Sequence, residues 1–202
     1  DHNRLSLQGL LWGALALGIE SVLCTTGDYV AAAQHGLIRD CKDQRTSAVR
    51  DVDVFALVRM ARETGSCTGV VLDPWPEAGR LDHAIRRLEK KVEAGAQYVI
   101  TQPVYSEEAA SELREATGHL DLPVILGILP LRTSRHARFL DTKVAGIVVP
   151  EHVCQRMEEA ADPVAEGLAA AREMVDFAQK AFAGACLMPA FGHYESVEML
   201  LS

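Results

Sequence analysis

Five short apolar runs without interruption most constrain what this chain can fold into. They lie at residues 21–24, 68–72, 97–102, 123–128 and 185–188. Each is too short for a helix and has the unbroken apolar text of a strand buried in a parallel sheet. Between them lie amphipathic stretches at helical spacing, at residues 5–17, 52–63, 81–94, 106–117, 133–140 and 163–182, with a terminal helix expected through 197. Helix signals agree with this division. Gly18, Gly65 and Gly95 stand where helices should stop, and Ser106, Thr133 or Ser134, and Asp162 before Pro163 stand where they should start. Residues 144–149 are apolar and fit either a strand or an extended run into a helix near Pro150. Strand, loop and helix in repetition imply an α/β fold with a parallel sheet covered on both faces. A TIM-type barrel and a doubly wound open sheet both satisfy the pattern.

Ligands of parallel α/β folds bind at the C-terminal ends of the strands. Four strand ends here carry polar or proline-rich text: Thr26-Gly27-Asp28, Asp73-Pro74-Trp75-Pro76-Glu77, Thr101-Gln102-Pro103 and Leu129-Pro130. Asp28 reads either as a turn residue after Gly27 or as a carboxylate aimed into a site. Gln102 is either a backbone linker or a flat donor–acceptor pair suited to a heteroaromatic ring. Trp75, held between two prolines, is hard to explain by packing and could stack on an aromatic ligand. Arg87, Lys90 and Lys91 form a basic run on a helix, where a solvated face competes with a phosphate site. The irregular stretch 29–50 is long for a loop inside a domain, which often marks function. His136, His152 and His193 lack metal-ligand spacing, and surface positions are expected for them.

Composition excludes other classes. The 202 residues carry 20 Lys and Arg against 28 Asp and Glu, a formal net of −8, with no basic tract of the kind phosphate backbones require. No nucleic-acid partner is expected. No apolar run is long enough to span a bilayer, so no membrane role is expected either. The five cysteines (24, 41, 67, 154 and 186) show no CxxC pair and no zinc spacing. Reduced thiols and a cytoplasmic setting follow from the usual redox rule. Neither GxGxxG nor a Walker A sequence is present. No lysine stands at a strand end, which disfavours Schiff-base chemistry.

Longer stretches resemble a known family. LGIESVLCTTGD at 17–28, RRLEKKVEAGAQYVITQPVY at 86–105, LPVILGILPL at 122–131 followed by Ser134 and Arg135, and DHNR at 1–4 are similar to methylenetetrahydrofolate reductase. The likeness is greatest to the reductase half of bifunctional homocysteine S-methyltransferase/methylenetetrahydrofolate reductase proteins. It runs almost end to end.

The resemblance implies a flavin-dependent TIM (β/α)8 barrel in one-carbon and methionine metabolism. Such an enzyme reduces 5,10-methylenetetrahydrofolate to 5-methyltetrahydrofolate, with FAD (or FMN) as cofactor and NAD(P)H as donor. Thr26, Gly27 and Asp28 match the loop beside the flavin ring, and Asp28 is the candidate catalytic residue, since a carboxylate there tunes the flavin. Lys91 matches a lysine near the cofactor phosphates. Trp75 and Arg87 align with cofactor-contacting positions of different residue type. Gln102 matches a glutamine that hydrogen-bonds the pterin, and Phe139 aligns with an aromatic that packs on substrate or nicotinamide. No metal is implied.

Five strands are fewer than the eight of a closed barrel. The chain, residues 1–202, is therefore expected to be the C-terminal portion of the barrel, about strands 4 to 8. The family's general-acid glutamate, on the first strand, is then absent from it. A homo-oligomer or a preceding methyltransferase domain is the expected partner. A flavin-independent folate-binding or methyl-transfer protein on the same scaffold is the alternative, and a non-catalytic assembly role is a third.

Overall fold

The computed structural model describes residues 2–26, 51–75, 81–144 and 146–201. Its contacts divide the chain into two units, residues 1–70 with 90–97 and residues 71–89 with 98–202. The division runs through one strand and one helix.

In the first unit, helix α1 (Arg4–Ala16) starts at Asn3, whose side chain accepts the Ser6 N–H at 2.8 Å. It stops at Gly18, which takes φ +78° and lets Ile19 N–H close on Ala14 O at 3.0 Å. Leu11 is its buried residue, while Leu5, Leu10, Trp12 and Leu17 are exposed. Strand β1 (Ser21–Cys24) pairs in parallel with β2 (Cys67–Leu72), Ser21 opposite Cys67 and Cys24 opposite Val70. Between them Asp53 caps helix α2 (Val54–Glu63), which buries Val54, Val58 and Ala61 at helical spacing. The turn into β2 is polar but satisfied. Thr64 Oγ1–H donates to Ala61 O, and Thr68 Oγ1–H donates to Ser66 O.

The second unit holds helix α3 (Leu81–Glu93) up to Glu89, followed by β3 (Tyr98–Pro103), α4 (Glu107–Thr117) and β4 (Val124–Ile128). Three helices then precede β5 (Gly184–Leu187): α5 (Ser134–Lys143), α6 (Glu151–Glu159) and α7 (Pro163–Ala181). A short 3-10 turn (Ala190–Gly192) and α8 (Glu195–Leu201) follow. β3 pairs with β4, and β4 with β5, all parallel. Among the described residues of 144–149 none joins a strand: a turn with Gly146 at φ +81° closes from Ile147 N–H to Val144 O at 3.4 Å, and 147–149 lead without regular structure into α6. Their apolar side chains are used nonetheless: Ile147 and Val149 pack with Leu131, Ala137, Leu140 and Met157 under α5 and α6.

Consecutive strands are neighbours here, and no reversal of strand order occurs within the unit. Burial alternates along β3. Val99, Thr101 and Pro103 are buried, whereas Tyr98, Ile100 and Gln102 are only half-buried. In β4, by contrast, Leu126, Gly127 and Ile128 are all buried, which fits cover on both faces there. The α/β fold with parallel strands stands.

Candidate functional site

Parallel pairing brings the C-terminal ends of β3, β4 and β5 to one edge of the second unit. At the end of β3 the ladder is broken. Ile100 faces Ile125, but Pro103 faces Gly127, so three steps on β3 match two on β4. This is a bulge, with one residue more on β3. Thr101 fills the break with its side chain. Its Oγ1–H donates to Gln102 O at 2.8 Å, and the same oxygen accepts the Gly127 N–H at 2.8 Å. Beyond it, Val104 N–H returns to Gly127 O at 3.1 Å. The two strands approach so closely that a Cβ on Gly127 would lie 2.3 Å from Thr101 O. Gln102 emerges from this bulge half-buried, and its side-chain amide makes no hydrogen bond among the described residues.

At the end of β2, Asp73 turns the chain. Its Oδ1 accepts the Trp75 N–H at 3.1 Å, Pro74 is buried, and Trp75 is half-buried. The carboxylate lies flat against Gly146, where a Cβ would come within 2.7 Å of it.

Past β4, Thr133 caps α5 through the His136 N–H at 3.0 Å. His136 is 8% exposed, and its Nδ1 has no partner among the described residues. This corrects the expected surface position. Burial lowers its pKa, and the positive charge of Arg132 lowers it further. Its ring lies 5.1 Å from that of Phe191, tilted by 54°. Phe191 follows β5 and holds a left-handed conformation, φ 51°, although its side chain is 76% exposed. The Tyr105 hydroxyl, just past β3, is buried beside Leu129, Leu131 and Met174 without a partner among the described residues, and burial pushes its pKa up.

The structure distributes the expected site residues as follows. Trp75, Arg87, Gln102 and Phe139 fall in the second unit, Thr26 and Lys91 in the first. Thr26 is exposed just past β1, while Gly27 and Asp28 lie outside the described residues. Arg87 is exposed on α3 and engaged in an interaction. Lys91, in the last turn of α3, is only 9% exposed and also engaged, so the solvated face expected of a basic run does not apply to it. Phe139 is exposed on the second turn of α5. Sequence reasoning named Thr101 only as part of a polar strand end and His136 only as a surface histidine, and it missed Phe191. Gly127, a glycine inside an apolar strand, was the readable signal for the close approach at β3. Among the described residues no group of three His, Cys, Asp or Glu side chains is placed to hold a metal ion. None of the described helices is long and apolar enough to cross a membrane.

No curated protein matches the chain. The family model described as methylenetetrahydrofolate reductase matches residues 1–188, which is most of the 202, and the chain belongs to that family.

Proposed function

We propose that this protein reduces 5,10-methylenetetrahydrofolate to 5-methyltetrahydrofolate with NAD(P)H, using a bound flavin, and that its strands are staves of a (β/α)8 barrel. Family membership supports the oxidoreductase class and the folate substrate. The observation that carries the reading is Gln102, a half-buried amide without a hydrogen-bond partner among the described residues, at the end of a strand. A primary amide offers a donor and an acceptor in one plane, which matches the edge of a pterin.

The donor set also suits a flavin. Trp75 offers a flat apolar surface at a strand end, and Arg87 and Lys91 supply positive charge for a pyrophosphate. When bound, the flavin supplies hydride transfer between nicotinamide and folate. The chain's own residues do the rest. Gln102 orients the pterin and Trp75 excludes water from a ring face, while the resemblance assigns the text at Thr26, Gly27 and Asp28 to the loop beside the flavin. Phe139 packs on substrate or nicotinamide in this reading.

The full chain should gain flavin absorbance on incubation with FAD. It should then oxidise NADH beyond one equivalent per flavin only when methylenetetrahydrofolate is present to re-oxidise the flavin, with methyltetrahydrofolate as product. Folate binding by calorimetry without flavin uptake or NADH oxidation selects the flavin-independent alternative. Binding of neither ligand rejects both.

A further inference from the structure

Thr101 is a buried hydroxyl that the reaction itself does not require, at the one place where the β3–β4 ladder is irregular. It is 1% exposed. A buried threonine in a strand is ordinarily present for its methyl group and branching. Here the hydroxyl is used twice, as donor to Gln102 O and as acceptor from Gly127 N–H, both at 2.8 Å. The first bond holds the carbonyl of the residue whose side chain faces the site. The second ties that carbonyl to the neighbouring strand across the bulge. Gly127 makes the approach possible, since any side chain there would strike Thr101 O.

We infer that Thr101 is the positioning residue for Gln102. Its hydroxyl replaces the ladder hydrogen bond that the bulge removes, and so fixes the Gln102 backbone and the direction of its amide. The inference rests on the reading of Gln102 as the pterin-binding amide. It assigns the specificity of that contact to a side chain that touches no ligand. Bulges beside active sites re-aim side chains, and this one does so through a single oxygen.

The test measures calorimetric Kd for 5-methyltetrahydrofolate, together with flavin content and kcat, in the full chain. Thr101→Val keeps shape and removes the hydroxyl, whereas Thr101→Ser keeps it. Loss of one well-placed hydrogen bond corresponds to a weakening of about 5- to 10-fold. Thr101→Val should weaken folate binding by that factor with flavin content unchanged, and Thr101→Ser should restore it to within about twofold of the parent. The double variant Thr101→Val/Gln102→Ala should bind no more weakly than Gln102→Ala alone, because both changes remove one contact. If Gln102→Ala leaves the Kd unchanged, the reading of Gln102 falls, and the inference with it. If Gln102→Ala weakens binding and Thr101→Val lowers only the melting temperature, the inference alone is overturned. Should the Val variant not fold, Thr101→Ala, which has no side-chain donor or acceptor, takes its place, and parental affinity in it is equally fatal.

Discussion

At the scale of single residues, His136 shows how burial sets protonation. The ring is excluded from water, its Nδ1 has no partner among the described residues, and Arg132 adds positive charge nearby. All three features favour the neutral form, so the folded state takes up a proton less readily than the unfolded chain. Where the unfolded state binds more protons, stability rises with pH. The contribution is therefore intact above the ordinary histidine value of 6.5 and is lost as pH falls below it. His136→Phe keeps an aromatic ring against Phe191 and removes the titration. Urea midpoints at pH 7.5 and pH 5.5 should differ less in this variant than in the parent. An equal drop in both proteins would show that His136 is not the group responsible. The sequence could not expose this residue, because a histidine near a helix start looks the same whether water or an exposed phenylalanine far along the chain covers it.

At the scale of elements, packing depends on places where a side chain is forbidden. α7 lies directly on the segment after β4, and a Cβ on Gly167 would sit 1.9 Å from Leu131 O. Backbone faces backbone there, so no rotamer change can relieve the clash. Gly167→Ala should force α7 away from Leu131 and cost about 1–3 kcal/mol. For a chain of this size each kcal/mol lowers Tm by roughly 2–4 °C. A thermal melt measures it, and an unchanged Tm would show that the helix does not rest on that carbonyl. Helix propensity alone makes the opposite prediction, since alanine favours a helix interior over glycine.

The same contrast explains how far the sequence was legible. Caps and stops were read correctly at Ser106, Thr133, Asp162 and Gly18, because capping is decided by residues within one turn. Strand existence was read for the same reason. Residues 144–149 remained open because an apolar run is equally at home in a strand and in an irregular segment over a core. Gln102 was found as a strand-end polar residue, but the hydroxyl that holds it was not, since the Thr101–Gly127 bond joins residues 26 apart in the chain.

At the scale of the whole molecule, its two tryptophans report on the two units separately. Trp12 lies on α1 in the first unit and is 51% exposed, whereas Trp75 lies past the end of β2 in the second and is half-buried. A flavin ring quenches a stacked indole almost completely and a more distant one only partly, by energy transfer, so the depth of quenching at each tryptophan locates the ring. In the reading proposed above, the ring lies at strand ends and stacks near Trp75, while Trp12 on its helix contributes nothing to the site. Addition of FAD to the full chain should therefore lower tryptophan emission. The Trp12→Phe variant should keep most of that decrease and Trp75→Phe should lose most of it. The remaining emission of Trp75→Phe should be red-shifted, as expected of an indole in contact with water. If the decrease survives in Trp75→Phe and largely vanishes in Trp12→Phe, the flavin approaches α1, and the assignment of Trp75 to the cofactor is wrong. The exposed leucines around Trp12 sharpen this contrast. An apolar helix attracts planar aromatic molecules without specificity, but such binding would quench Trp12 more deeply than Trp75. The two variants thus separate a built cofactor site from adsorption to an apolar surface.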